Sequence, residues 1–338
     1  MPHISVMIPT FNRAHLLPAT IESALAQTFD DFDAVVVDDA SSDDTDDVVR
    51  PYLDDRRVKY VKNDTNLGLT KNWNRCISMA KGPLVNLLLS DDLIDPAYLA
   101  EASALFDCHP ELGLVAASCR YIDGAGRVIH AGHPTAPTYR AAGDDAVSFF
   151  LTTGFPHVSS IVFSKRCVEE VGSFNEQIWH GPDVEFDVRI GSRFAVYHSG
   201  AVYTSFRRHG ANSGNIEFLD TKFIETDLLK FSLAWQYLSK EGALALGVKD
   251  VERHVAGTTC AAALNGATVA IAYGRRGLSL YYLRRAFALN AQVVGTARFW
   301  KSVLLFAGFP WSSRLMQARL GINRRDLLEA SRFAAAKR

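Results

Sequence analysis

The chain of 338 residues lacks most short signatures of a phosphate, metal or redox site. It has no G-x-G-x-x-G and no G-x-x-x-x-G-K-[ST], so neither glycine-rich phosphate cradle is available, and a bound nucleotide would need a metal to hold its phosphates. The five cysteines (Cys76, Cys108, Cys119, Cys167 and Cys260) are odd in number, far apart and never in C-x-x-C spacing. That pattern argues against a disulfide framework or a zinc knuckle and fits a reducing cytoplasm. No H-E-x-x-H occurs, and His15, His133, His157 and His198 show no metal spacing and receive no catalytic role. The chain also lacks an uninterrupted apolar run of about 18 residues, and its start, PHISVMIPTFNR, has no basic stretch leading into an apolar core. The expectation is neither secretion nor membrane spanning.

What is present reads as a folded protein: 48% hydrophobic and 22% charged residues, in a length that suits one large domain or two modest ones. Charge is unevenly spread. From Arg253 to Arg338 there are 14 Lys and Arg against only Asp326 and Glu329, a local charge of +12 that leaves −13 elsewhere in a chain of net charge −1. Such a division fits an acidic domain that handles a cation, joined to a basic region that meets phosphate or anionic lipid. A plain solvated basic face fits equally. Aromatic residues interleave with the charges at Arg298-Phe299-Trp300-Lys301 and Phe309-Pro310-Trp311, as in interfacial helices.

Ile4–Ile8 is a short β-branched run, followed by helical spacing of Leu16, Leu17, Ile21 and Leu25 within 12–27. The alternation repeats, with strands at 34–37, 58–61 and 84–89 and helices at 43–53 and 69–79. Four β-α steps predict an α/β fold with a mainly parallel, Rossmann-like sheet flanked by helices, whose ligands sit at the carboxyl ends of the strands. Polar clusters stand at those ends: Pro9-Thr10-Phe11-Asn12-Arg13, Asp38-Asp39-Ala40-Ser41-Ser42-Asp43, Asn63-Asp64 with Asn66 and Gly68, and Ser90-Asp91-Asp92. Further strands are expected at 114–121, 159–163 and 201–206. From about residue 217 the signal is helical (218–238, 251–273 and 278–289), so the chain divides into 1–215 and a helical, basic 216–338.

Asp91 and Asp92 offer the oxygen ligands that Mg²⁺ and Mn²⁺ prefer; the alternative is capping of the next helix, with Asp95 before Pro96 in the same role. Asp38 and Asp39 can accept hydrogen bonds from a base or ribose, or cap a helix with Ser41, Ser42 and Asp43. Asp183 follows Pro182 at a predicted helix start, where it serves as a general base or simply answers the helix dipole. His209, after Arg207-Arg208, is a structural histidine or a contact to metal or diphosphate, with the arginines gripping phosphate. Trp179 either stacks on a sugar ring or packs in the core.

Taken in order, Ser5–Arg13, Val37–Thr45, Asn66-Leu67-Gly68 with Asn74, Ser90-Asp91-Asp92, Val171–Glu176 and Gly181–Phe186 resemble the family 2 glycosyltransferases of GT-A fold, over residues 1 to about 215. The resemblance implies a nucleoside site at Pro9, Phe11, Arg13 and Asp39, with Asp39 as acceptor for the base. It implies an Asp91-Asp92 motif for Mn²⁺ or Mg²⁺ with Asp92 as direct ligand, Asp183 as the base that deprotonates the acceptor, and His209 near metal or diphosphate. Two departures stand out: Pro182 replaces the usual acidic neighbour of the base, and Phe11 stands where tyrosine is common. Without Q-x-x-R-W, the processive signature, a single transfer is expected. The implied reaction is inverting transfer from a nucleotide sugar, UDP preferred over dTDP and GDP, to a saccharide or lipid-linked acceptor. The implied setting is cytoplasmic, with the basic region at an anionic membrane or forming a homo-oligomer, and no nucleic-acid partner. A non-catalytic nucleotide-sugar-binding protein of the same fold is the alternative.

Overall fold

A computed structural model of the chain describes residues 3–131, 139–208 and 219–307. They form two compact units: the first runs through Arg207 and adds Gln236–Gly242, and the second comprises the described residues of 208–235 and 243–307. The boundary expected between 215 and 216 lies outside the described residues.

The first unit is built on one sheet. Strands β1 (Ile4–Thr10), β2 (Phe32–Asp38), β3 (Val58–Lys62) and β4 (Leu84–Leu87) are all parallel, in the order β3-β2-β1-β4. Every residue of β1, β2 and β4 is buried, which is why these strands read as continuous apolar runs rather than alternating ones. The helices α1 (Leu17–Leu25), α2 (Thr45–Val49) and α3 (Leu69–Met79) make the crossovers. Strand order reverses between β1 and β4, the place where doubly wound sheets open a ligand crevice. Pro9 marks that opening. Met7 O accepts from Leu88 N on the β4 side and Thr10 O accepts from Asp39 N on the β2 side. By alternation Pro9 faces the β4 side just beyond the end of β4, where a missing N–H breaks no ladder.

Beyond β4 the sheet is mixed. After β5 (Leu93–Ile94) and α4 (Tyr98–Cys108) come the long β6 (Leu112–Ile122), the short β7 (Val128–His130) and β8 (Tyr139–Ala141), and α5 (Asp144–Thr153). Strand β9 (Ile161–Ser164) runs antiparallel between β4 and β6 and is followed by α6 (Lys165–Val171) and α7 (Pro182–Gly191). The 13-residue β10 (Ala195–Arg207) lies parallel to β6 and pairs antiparallel with β5. The core fills one face of this sheet with α1 and α4, including the fully buried Leu17, Ile21, Leu99 and Ala102.

The second unit is helical, with helices Phe223–Gln236, Lys240–Ala245, Val251–Ala272, Arg276–Leu289 and Ala297–Ala307. Val251–Ala272 is long and apolar enough, by length and composition alone, to cross a membrane, and 56% of its apolar window is buried within the protein, as in a core helix. It packs closely on Arg276–Leu289: a Cβ at Gly266 would meet the Tyr282 ring at 3.0 Å, and Cys260 Sγ donates to Ala286 O at 3.3 Å.

Candidate active site

The exits of β1 and β2 are laced together. Asn12, in the left-handed region at φ 53°, donates its N–H to Ser41 Oγ (2.8 Å), and its Oδ1 accepts from Ser42 N (2.8 Å). Asp43 Oδ2 accepts from Ala14 N at 3.0 Å. These polar residues therefore join two strand ends instead of capping α2, whose N-cap is Asp44 with no side-chain bond. Phe11 emerges from this frame 45% exposed, with the half-buried Arg13 beside it donating to Asn12 O at 3.3 Å.

Asp38 and Asp39 are both buried, and they turn to different tasks. Asp38 accepts from Ser41 N, Ser41 Oγ and Tyr60 Oη at 2.9, 2.5 and 2.7 Å. Asp39 accepts from Asn63 Nδ2 and Leu67 N at 2.8 Å and from Gly68 N at 2.9 Å, which shapes the 63–68 loop. A carboxylate offers about four lone-pair directions, so Asp39 retains roughly one for a nucleoside. Gly68, at φ 84° and ψ 165°, holds a conformation open essentially only to glycine and starts α3.

Helix α3 carries the order onward. Asn74 exchanges two bonds with the Phe174 backbone (Nδ2 to O, 2.9 Å; N to Oδ1, 3.0 Å), and Thr70 Oγ1 donates to Ile178 O at 2.7 Å. The segment so held leads straight into α7 and Asp183. Phe174 rests on Phe186 of α7, ring centroids 4.3 Å apart.

From Leu89 to Ile94 the chain alternates, with Ser90, Asp92 and Ile94 buried and Leu89, Asp91 and Leu93 partly exposed. Asp92 is wholly enclosed. Its Oδ2 accepts from Ser159 Oγ (2.6 Å) and lies 3.3 Å from His157 Nδ1, while its Oδ1 accepts from Arg207 N (3.0 Å). Burial, reinforced by the Asp91 charge, pushes the Asp92 carboxyl well up from its ordinary value, against the Ser159 and Arg207 hydrogen bonds. Arg207 corrects another expectation: it is 4% exposed and its guanidinium donates to the carbonyls of Asp91, Asp123 and Gly124, so it ties loops together and is not turned to a diphosphate. Helix α4 has Ala97 as N-cap, without a side-chain bond, so neither Asp92 nor Asp95 caps it.

His157 received no catalytic role from the sequence. Held at the start of the short Val158–Ser160 turn, with its ring 4.4 Å from Phe206, it feels the charges of both Asp183 and Asp91. Burial lowers its pKa, and those two carboxylates raise it. The imidazole thus sits against the enclosed Asp92 carboxylate at the β4 exit, Nδ1 3.3 Å from Oδ2. No local motif announces this, because a histidine in a Gly-Phe-Pro-His loop acquires its neighbours only from the packing of β9 and β10.

The acids of α7 are sorted by face. Asp183 is half-buried in the first turn, after Gly181 in the left-handed region. Glu185 is 3% exposed and forms a two-pronged pair with Arg189 (2.8 and 2.9 Å), which also donates to the carbonyls of Gly172 and Ser173. Asp187 is fully buried and neither of its oxygens has a hydrogen-bond partner among the described residues. Burial first, then the charges of Asp183 and Glu185, hold its carboxyl well above the usual range. A raised carboxyl contributes stability that is complete below the unfolded-state pKa and is lost as pH rises toward the folded one. Asp187→Asn is therefore expected to flatten the fall of stability above pH ~4, by up to about 1.4 kcal/mol per pH unit. Urea melts at several pH values would show it, and parallel curves for the two proteins would refute it.

Pro9, Phe11, Arg13 and Asp39 thus lie at the β1–β2 exits, Asp91 and Asp92 at the β4 exit, and Asp183 on α7. His209 lies outside the described residues. Trp179 is half-buried beside His180, ring centroids 6.1 Å apart. Among the described residues no three His, Cys, Asp or Glu side chains form a metal cage. The donor set fits a hard divalent cation held by one or two carboxylates, with substrate phosphate and water completing the shell. Within it Asp91 is partly exposed, and Asp92, which the sequence singled out as direct ligand, is enclosed and accepts one protein hydrogen bond on each oxygen.

A parallel sheet opening at its β1–β4 switch point, continued by antiparallel β9 and flanked by helices, with an acidic pair at the β4 exit, is a GT-A architecture. Solved structures agree: S. aureus TarS 1–349 in complex with UDP gives a TM-score of 0.55 at 20% identity, covering 88% of this chain and 91% of that one. A mannosyltransferase from Pyrobaculum calidifontis in complex with GDP-Man and Mn²⁺ gives 0.56 at 16% identity, over 98% and 86%. The model of glycosyl transferase family 2 matches residues 5–171, and through this segment the chain belongs to that family. Validoxylamine A glucosyltransferase of Streptomyces hygroscopicus subsp. jinggangensis is 32% identical over 221 residues, 56% of this chain and 51% of its own length. The GalNAc(5)-diNAcBac-PP-undecaprenol beta-1,3-glucosyltransferase of Campylobacter jejuni is 44% identical over 94 residues, 27% of this chain and 30% of that protein. The chain spans about half the length of the first of these relatives and less than a third of the second.

Proposed function

We propose that this protein transfers a single sugar, with inversion, from a nucleotide diphosphate sugar to an acceptor hydroxyl, with UDP as the preferred nucleotide. The observation that carries the reading is the gathering of Phe11, Asp39 and Asp91 at the carboxyl ends of β1, β2 and β4, beside the switch point of the sheet. Phe11 offers an exposed ring face for the base, and Asp39 and its 63–68 loop form the floor. Asp183 takes the acceptor proton as the acceptor oxygen bonds to the anomeric carbon; the bond from that carbon to the diphosphate breaks, and the nucleoside diphosphate departs with the electron pair. General-base help of this kind contributes about 10²- to 10⁴-fold. Asp91, backed by Asp92, would hold Mn²⁺ or Mg²⁺, which when bound supplies Lewis-acid neutralisation of diphosphate charge.

Support for UDP comes from TarS, solved with UDP and with UDP-GlcNAc; the GDP-Man of the P. calidifontis enzyme keeps GDP sugars in the test. The C. jejuni relative, named for a polyprenol-linked substrate, supports a lipid-linked saccharide acceptor in bacterial surface-glycan assembly, reached from the cytoplasmic face of the membrane. The test is a panel of UDP, dTDP and GDP sugars with Mn²⁺ or Mg²⁺, followed for slow release of free nucleotide, which needs no acceptor. Release from one donor, abolished by EDTA, is the expected result. Silence across the panel, with no thermal stabilisation by any nucleotide, would overturn transfer in favour of a non-catalytic role.

A further inference from the structure

We propose that the second unit docks on an anionic lipid bilayer through a surface centred on Trp300 and Leu304. Helix Ala297–Ala307 turns Ser302 inward, 2% exposed, while Trp300 and Leu304, one turn apart on the same face, are 54% and 69% exposed. The Trp300 indole N–H donates to Val294 O at 2.8 Å, which lays the ring beside the 3-10 turn Ala291–Gly295 and joins it to the exposed Val294. With its one polar group satisfied, the ring presents only apolar surface outward. The preceding helix, Arg276–Leu289, buries Ser279, Tyr282, Leu283 and Ala286 and leaves Leu280, Arg284 and Phe287 exposed along its opposite face.

Apolar side chains of this size, exposed in succession, mark an interaction surface. Charge decides the partner. Exposed Arg298 and Lys301 lie on the helix of Trp300 and Leu304, exposed Arg284 lies on that of Leu280 and Phe287, and no carboxylate side chain occurs between Glu252 and Asp326. Aromatic and aliphatic groups rimmed by Arg and Lys match the boundary between acyl chains and anionic headgroups. A nucleic acid would use the cations and leave Leu304 and Phe287 in water; a second copy of this chain would bring the same positive charges face to face.

This inference extends the proposed membrane-side acceptor, but its test needs neither donor nor turnover, so failure of one does not imply failure of the other. The full chain would be sedimented with phosphatidylglycerol–phosphatidylcholine vesicles and with pure phosphatidylcholine vesicles at low and high salt. Binding is expected to the anionic vesicles, weakened by salt. Trp300→Ser with Leu304→Ser should reduce it at least ~10-fold, and Arg298→Gln or Lys301→Gln about 5-fold each. Melting curves establish that the variants fold, and the exposed Lys301→Gln serves if the double variant does not. Failure to bind anionic vesicles overturns the proposal, as does vesicle binding indifferent to both sets of substitutions. A dimer that Leu304→Ser splits, in protein that ignores vesicles, would assign the surface to a second copy and likewise overturn it.

Discussion

Asp183→Asn is expected to lower kcat by about 10²- to 10⁴-fold while leaving donor affinity within about twofold. The amide keeps the shape of the carboxylate and cannot take a proton. Binding should be spared because Asp183 belongs to α7 and the donor-side features belong to other elements: Phe11 after β1, Asp39 after β2 and Asp91 after β4. The folded state should be spared as well, since the contacts that seat α7 are made by others, chiefly the Glu185–Arg189 pair and the Phe174–Phe186 rings. Steady-state kinetics with the donor identified by the panel, alongside calorimetry of nucleotide binding, separate the two effects. Turnover within tenfold of the parent would remove Asp183 from the chemistry; loss of donor binding in parallel would make it a binding residue instead.

The second large effect divides the adjacent acids. Asp91→Ala should abolish the metal-dependent part of donor binding with a smaller loss of melting temperature than Asp92→Ala, because the Asp91 side chain is partly exposed and that of Asp92 is wholly enclosed. Asp92→Ala should cost stability first. It leaves the Ser159 O–H and the Arg207 N–H without their acceptor in a buried space, at about 1–3 kcal/mol, or several degrees of melting temperature in a unit of this size. Donor binding then suffers indirectly, through the loosened β4 exit. Titration of nucleotide with and without Mn²⁺, paired with melting curves, distinguishes the two. If Asp91→Ala binds donor in Mn²⁺ as the parent does, the assignment of Asp91 fails.

Nothing in Leu89-Ser90-Asp91-Asp92-Leu93-Ile94 decides which of the adjacent acids turns inward: that is settled by Ser159 before β9 and Arg207 at the end of β10, whose donors hold Asp92. The same limit governs the rest. Strand β1 and helix α3 were legible because apolar spacing decides them locally. Helix α1 starts at Leu17 and not near Asn12, because Asn12 and Ala14 give their N–H groups to the β2 exit. Helix α2 ends at Val49, and the chain tightens to a 3-10 turn at Arg50–Asp54, with Pro51 in its first turn. Antiparallel β9 between β4 and β6, the loop-tying role of Arg207 and the position of His157 are all set by pairings more than 40 residues apart, beyond any local pattern. Among the site residues, the clusters at the strand ends were legible; which member faces outward was not.

The hydrogen-bonded route from Asp39 through Gly68 and α3 to Phe174 and Ile178 has a practical meaning for chimeric enzymes. A designer exchanging the 63–68 loop with that of a relative, to change nucleotide preference, would also change the abutment on which the Asn74–Phe174 clasp and the start of α7 rest. Viable crossover points therefore lie outside residues 63–79 and 174–183 together, and grafts that take one stretch without the other should yield proteins that bind a new nucleotide but present Asp183 out of line.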